Sequence, residues 1–142
     1  MTRPRLARGF LRASGIVLIL LGFVHLLATP HIPHLLDGLP PKARSLALGA
    51  SLLNHVLVGI LLFPLGFTTW LAAGKDRWQD SWAKQVLIAN CLTVLTLPVM
   101  VVLLMRQPQY YQSPLFLAGV ALTALTAILM ALAAWVVASA KV

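Results

Sequence analysis

Four histidines carry most of the chemistry open to this 142-residue chain: His25, His31, His34 and His55. Imidazole is a ligand for iron, copper and zinc, and it exchanges protons near neutral pH. The other reactive groups are sparse. The chain has three acidic residues, Asp37, Asp76 and Asp80, and none lies inside a long apolar run, which argues against a carboxylate proton relay in a membrane. There is no Ser-His-Asp arrangement, phosphate-binding loop or cysteine-based metal motif. Cys91 is the one cysteine, so no internal disulfide can form, and it reads as a small buried hydrophobe.

The elements that must position the histidines follow from the spacing of charge. The chain is 60% hydrophobic and 10% charged, against about 25% charged in a soluble domain. Its mean hydropathy is +0.90. Charge-free runs extend over 13–36, 45–74, 85–105 and 107–140. Each is long enough for a helix crossing a hydrocarbon core about 30 Å thick. The runs are continuously apolar, without the alternation of a β-barrel. The reading is an all-α polytopic membrane protein, a four-transmembrane-helix bundle, with one membrane domain over 1–142. Its helices are expected at roughly 10–29, 44–72, 83–105 and 114–138.

Orientation follows from the basic residues. Arg3, Arg5, Arg8, Arg12, Lys75, Arg77, Lys84 and Lys141 fall on one side, and Lys42, Arg44 and Arg106 on the other. This bias puts both termini in the cytoplasm, by implication at a bacterial inner membrane. Trp70, Trp78, Trp82 and Trp135 map to the inner interface, and Tyr110 and Tyr111 to the outer one. The net charge of +8 is thus a matter of topology and not of nucleic-acid binding. The N-terminal arginines could also attract anionic lipid. The basic start and apolar stretch read as a retained first helix, not a cleaved signal peptide, because the stretch exceeds the usual length.

Depth then pairs two histidines. At 1.5 Å per residue His25 lies roughly 18 Å from the inner edge of the core, about 12 Å below the outer edge. His55, entering from outside near Ser45, lies about 15 Å deep. The first two long helices are antiparallel neighbours, so the two imidazoles share a level. Gly22 and Gly59 each lie one turn from a histidine. Small residues there suit a macrocycle between helices, and equally suit close helix packing. His25 and His55 are therefore candidate ligands of a b-type haem or of a single metal ion. The alternative is structural: each ring hydrogen-bonds Asn54, Thr29 or a backbone carbonyl.

His31 and His34 stand in a loop from Thr29 to Lys42 with Pro30, Pro33, Pro40 and Pro41. It is expected to be stiff, with at most a short turn near Leu35. These two histidines are candidates for a second, outer metal site, which Asp37 could join. A solvated charge is the simpler expectation for Asp37. Ser113 followed by Pro114 reads as an N-cap. Gly119, Thr123, Ala127, Ala131 and Ala134 form a small-residue stripe for packing. Pro64 and Pro98 are expected to kink their helices, and Asn90 to join helices by hydrogen bonds.

The segments Gly22-Phe-Val-His25-Leu-Leu-Ala-Thr29 and Asn54-His55-Val-Leu-Val-Gly59 resemble a group of small four-helix bacterial membrane proteins with GxxHLxxT and NHxxxG helices. The resemblance covers the first half of the chain and leaves out the His31–His34 loop. It implies a four-helix fold and no particular activity. The leading functional expectation is a non-enzymatic accessory or scaffolding subunit, packed against lipid and other membrane subunits. The rival is a haem- or metal-binding redox or metal-handling protein, and a small transporter is a weaker third. The expected cofactor is none, with haem b or a transition metal as the alternative.

Overall fold

A computed structural model describes residues 3–78, 80–105 and 108–138. Arg106 and Lys141, used above for orientation, lie outside the described residues, as do the side chains of Arg3 and Tyr110. The chain forms α1 (Arg3–Ala28), a 3-10 turn (Thr29–His31), α2 (Ile32–Leu35), α3 (Pro41–Ala72), α4 (Ser81–Leu104), a second 3-10 segment (Pro108–Gln112) and α5 (Pro114–Ala138). The described residues contain no strand. The helices containing these segments, α1, α3, α4 and α5, are long and apolar enough to cross a membrane. They close a ring in which α1 packs along both α3 and α5, and α4 leans on α5 and more lightly on α3.

The tightest packing joins α1 to α3. A Cβ on Gly15 would stand 2.7 Å from the Gly66 carbonyl oxygen, and one on Gly66 would stand 2.5 Å from that of Gly15. The second crossing point is the same: a Cβ on Gly22 would meet the Gly59 carbonyl at 2.9 Å. Only glycine permits backbones this close, which is how apolar helices gain van der Waals contact when lipid offers no hydrophobic drive. The two pairs lie seven residues apart on each helix. They therefore define one antiparallel register.

Loop chemistry explains the ends. The prolines of the first loop do not simply forbid helix. Pro30, Pro33 and Pro41 each occupy the first turn of a helical segment, where the missing N–H has no intrahelical partner to lose. The segment is accordingly more helical than its composition suggests. Arg44 holds it in place: its guanidinium bonds the Asp37 carboxylate and, at 3.5 Å, the Pro33 carbonyl. The Ser113 hydroxyl accepts the Phe116 N–H at 3.4 Å, the cap expected from the sequence. Helix α3 runs unbroken through Pro64, and α4 through Pro98.

Burial is confined to one half of the bundle. We call the end where α1 begins proximal and the other distal. The buried residues are Ala7 to Gly22 on α1, Gly59 to Ala72 on α3, Ala83 to Val94 on α4 and Thr123 to Val136 on α5. All four helices lose their core toward the distal end. In the proximal core Asn90 donates to Thr69 Oγ1 at 2.8 Å, with Thr68 Oγ1 and the Leu65 carbonyl also in reach. This joins α4 to α3, as expected of Asn90. Thr123 and Thr126 donate to carbonyls of their own helix, each at 2.8 Å, which leaves no unsatisfied hydroxyl in the core.

The expected stripe on the last helix needs correction. Thr123 is buried and Gly119 and Ala127 partly so, but Ala131 and Ala134 are exposed. The buried face runs instead through Thr123, Thr126, Met130, Ala133 and Val136. Repeated steps of four drift about 40° each around a helix of 3.6 residues per turn. Steps of three and four keep to one side.

A test of the α1–α3 crossing compares two glycines. Gly66→Ala should destabilise the protein by roughly 1–3 kcal/mol, as overpacking does, and lower its unfolding midpoint in mild detergent. Gly49→Ala, where nothing lies within 4 Å of the added carbon, should leave the midpoint unchanged or raise it slightly. Equal effects would refute the close approach.

Candidate functional site

Where the core ends, a cavity of about 620 Å³ begins. It lies between the distal parts of α1, α3, α4 and α5, with α2 beside it, and all four histidines line it. Val24, Val58, Val101 and Phe116 supply apolar wall. Ser51, Asn54, Gln112 and Ser113 supply polar groups. Among the described residues lining it there is no Asp, Glu, Lys or Arg.

The α1–α3 register places the inner pair. His25 lies three residues beyond Gly22, and His55 four residues before Gly59. In antiparallel helices both steps lead toward the distal end, so the rings must meet. They do: the centroids are 4.8 Å apart and the planes are inclined by 28°, a stacked pair. Both side chains are part-buried.

Hydrogen bonds assign the protons. His25 Nδ1 lies 3.2 Å from the Leu21 carbonyl oxygen, which can only accept, so Nδ1 carries the hydrogen. The Thr29 hydroxyl gives its single hydrogen to the His25 carbonyl at 3.0 Å. In the Nδ1–H tautomer of His55 it accepts from that nitrogen, 3.2 Å away, and the His25 carbonyl beside it also accepts from the ring. Each neutral ring then has a bare lone pair on Nε2. No hydrogen bond to either Nε2 is found among the described residues, and neither is a buried, unsatisfied atom. Two neighbouring imidazoles thus present two unprotonated nitrogens, with their tautomers held by groups behind them. Metal-binding histidines are commonly held in this way.

The outer pair is different. His31 and His34 are exposed at the mouth. His34 Nδ1 is 3.5 Å from Asp37 Oδ2, while the other Asp37 oxygen pairs with Arg44. The carboxylate that could have joined an outer metal site is thus bound in a solvent-facing ion pair. Among the described residues no three His, Cys, Asp or Glu side chains converge. Asn54 is exposed on the cavity wall, and the partner of His55 is Thr29. Cys91 packs, part-buried, against the apolar core.

Thr29 had a weaker signal than its role warrants: it stands four residues after His25, hence on the same helical face. Met105, at the end of α4, also lines the cavity, and nothing in its sequence neighbourhood marks it. Comparison with known proteins finds no matching family model, no matching curated protein and no matching solved structure. The reading of the site therefore rests on its geometry alone.

The proton assignment can be measured. Nitrogen-15 spectra of the histidine side chains near pH 8 should show His25 and His55 as the Nδ1–H tautomer. An unconstrained histidine side chain favours Nε2–H, so that tautomer at either position would overturn the assignment. In Thr29→Val the preference at His55 should be lost and that at His25 kept.

Proposed function

We infer that this is a non-enzymatic bacterial inner-membrane protein, with cytoplasmic termini and an outward-facing cavity, that binds a transition-metal ion through Nε2 of His25 and His55. The observation that carries this reading is the pair of stacked imidazoles with both Nδ1 atoms satisfied and both Nε2 atoms bare. The orientation rests on the basic residues gathered at the proximal end, where Arg5, Arg8, Arg12, Lys75, Arg77 and Lys84 are all found.

The stack favours an ion over a haem. Bis-histidine haem has the macrocycle between its axial ligands, and these rings are in face-to-face contact. Charge balance narrows the ion. A dication held by neutral donors in an apolar setting keeps an uncompensated charge, which is costly to bury. A monovalent soft ion reduces that cost. Two imidazoles, with the Met105 thioether lining the same cavity, suit Cu(I), for which softer ligands select.

The test is titration of the purified protein in mild detergent with Cu(I), under reductant and against a competing chelator. One ion per chain is expected. His25→Ala and His55→Ala should each abolish binding, and Thr29→Val should weaken it about 10–100-fold by releasing His55 Nδ1. His34→Ala should have little effect. Full binding by both inner single variants would sink the proposal. A Soret band in the purified protein would return the site to haem.

A second reading is favoured by one observation. From Leu95 to Leu104 α4 has no buried side chain, and Val99, Val102 and Leu104 are more than half exposed. Such a face suits packing against another membrane subunit, as an accessory protein would require. Extraction from native membranes in mild detergent should then yield a particle much larger than the monomer. A strictly monomeric particle would count against this second reading and leave the metal site untouched.

A further inference from the structure

A second concavity lies at the opposite end of the bundle, and its chemistry is that of an anion site. It measures about 510 Å³ and is bounded by Arg12 on α1, Trp70 at the end of α3, and Gly74, Lys75 and Arg77 in the loop that follows. Two successive turns fold this loop back toward α1: Arg77 N–H donates to the Gly74 carbonyl at 3.3 Å, and Asp80 N–H to that of Arg77 at 2.9 Å. A Cβ added to Gly74 would crowd the Leu71 carbonyl oxygen at 3.0 Å and reach the Arg12 guanidinium at 4.0 Å, so glycine leaves this side of the concavity open.

The cations here are held without being neutralised. The Arg12 guanidinium carbon stands 5.0 Å from the Trp70 ring centroid, and that of Arg77 5.5 Å from the Trp82 centroid. An aromatic face orients a guanidinium while leaving its charge and in-plane N–H donors available. Asp76 and Asp80 also border the cavity. Among the described residues, however, no ion pair joins either to Arg12, Lys75 or Arg77; the ion pairs all lie at the far end, on Asp37. Asp80 instead accepts from the Trp82 indole N–H at 3.1 Å.

Directly beyond this charged concavity the surface becomes apolar. Phe67 stacks with Trp70 at 6.4 Å, and both are exposed. A ligand filling the site would thus have an anionic group against Arg12, Lys75 and Arg77 and a hydrocarbon portion along Phe67. We propose that this concavity is a binding site for the phosphate headgroup of an anionic phospholipid, with acyl chains lying against the Phe67–Trp70 face. Interfacial basic pockets and tryptophans are the usual means by which membrane proteins hold such lipids. The proposal rests on the chain spanning a bilayer but not on the histidine site. Resistance of the protein to alkaline extraction from membranes tests that premise separately.

The experiment is native mass spectrometry of the full chain in mild detergent, with added phosphatidylglycerol or phosphatidylcholine. One phosphatidylglycerol should be retained per chain, with phosphatidylcholine retained far less. Arg12→Gln and Lys75→Gln should each cut retention about fivefold, the effect of one cation near a membrane surface. Both positions are exposed, so each variant can be checked for helical content. The double variant Arg5→Gln/Arg8→Gln, outside the concavity, should retain most binding. Equal loss in that control would show diffuse attraction and overturn the site. So would undiminished binding in Arg12→Gln, equal retention of the zwitterionic lipid, or full displacement by millimolar inorganic phosphate, which would make the ligand a soluble anion.

Discussion

Backbone contact between α1 and α3 is the constraint on which the rest of the molecule depends. In lipid, apolar side chains gain little by meeting one another, so helix association relies on shape and on the few polar bonds available. Gly15 and Gly22 against Gly66 and Gly59 provide the shape. They bring the helices close enough for Thr29 to reach across to His55. Helix α5 then completes the other side of α1, and α4 is tied in through Asn90. Removing the glycine contacts would disturb not only stability but the distance between the two imidazoles.

The two ends of the bundle answer different physical demands. At the proximal end Leu11, Leu18, Leu62, Leu87 and Met130 fill the space between helices. The polar groups there are consumed within the fold: Ser14 bonds its own helix, and Asn90 bonds α3. At the distal end the helices part, and polar atoms remain unconsumed. A cavity bearing open nitrogen lone pairs would be a poor choice for stability alone, because each unsatisfied acceptor in an apolar setting costs free energy. Dense packing at one end lets the bundle tolerate an open cavity at the other.

Much of this was legible in the sequence, for identifiable reasons. The charge-free runs located the long helices to within a few residues, except that α1 begins well before residue 10. There the arginine-rich start continues the helix without a hydropathy signal. The equal depth of His25 and His55 foretold their apposition, because depth depends only on helix rise and chain direction. Asn90 was readable because an amide inside a long apolar helix must find partners. The packing face of α5 was not, since small residues occur all round that helix and only contact with α1 and α4 selects one side. The cavity was not either: it arises where four helices lose burial together, and no single helix encodes that. The proximal concavity depends on a loop folding Lys75 and Arg77 toward Arg12, a tertiary fact invisible to hydropathy.

The heptad spacing of the glycines raises the question of register, since a slide of seven residues would again oppose two of them. In one slid register Gly15 would face Gly59, but Gly22 would then meet Leu52, whose side chain cannot fit where backbones touch. In the opposite slide Gly22 would face Gly66, and Gly15 would meet Ala73, leaving Gly59 to oppose Thr29. Either alternative keeps one close contact and forfeits the other. Each also moves His25 about 10 Å along α3 from His55, at 1.5 Å per residue, and breaks the Thr29 bond that sets the His55 tautomer. The packing that stabilises the helix pair and the chemistry at its distal end thus select the same register, so the histidine pair is as well defined as the fold that holds it.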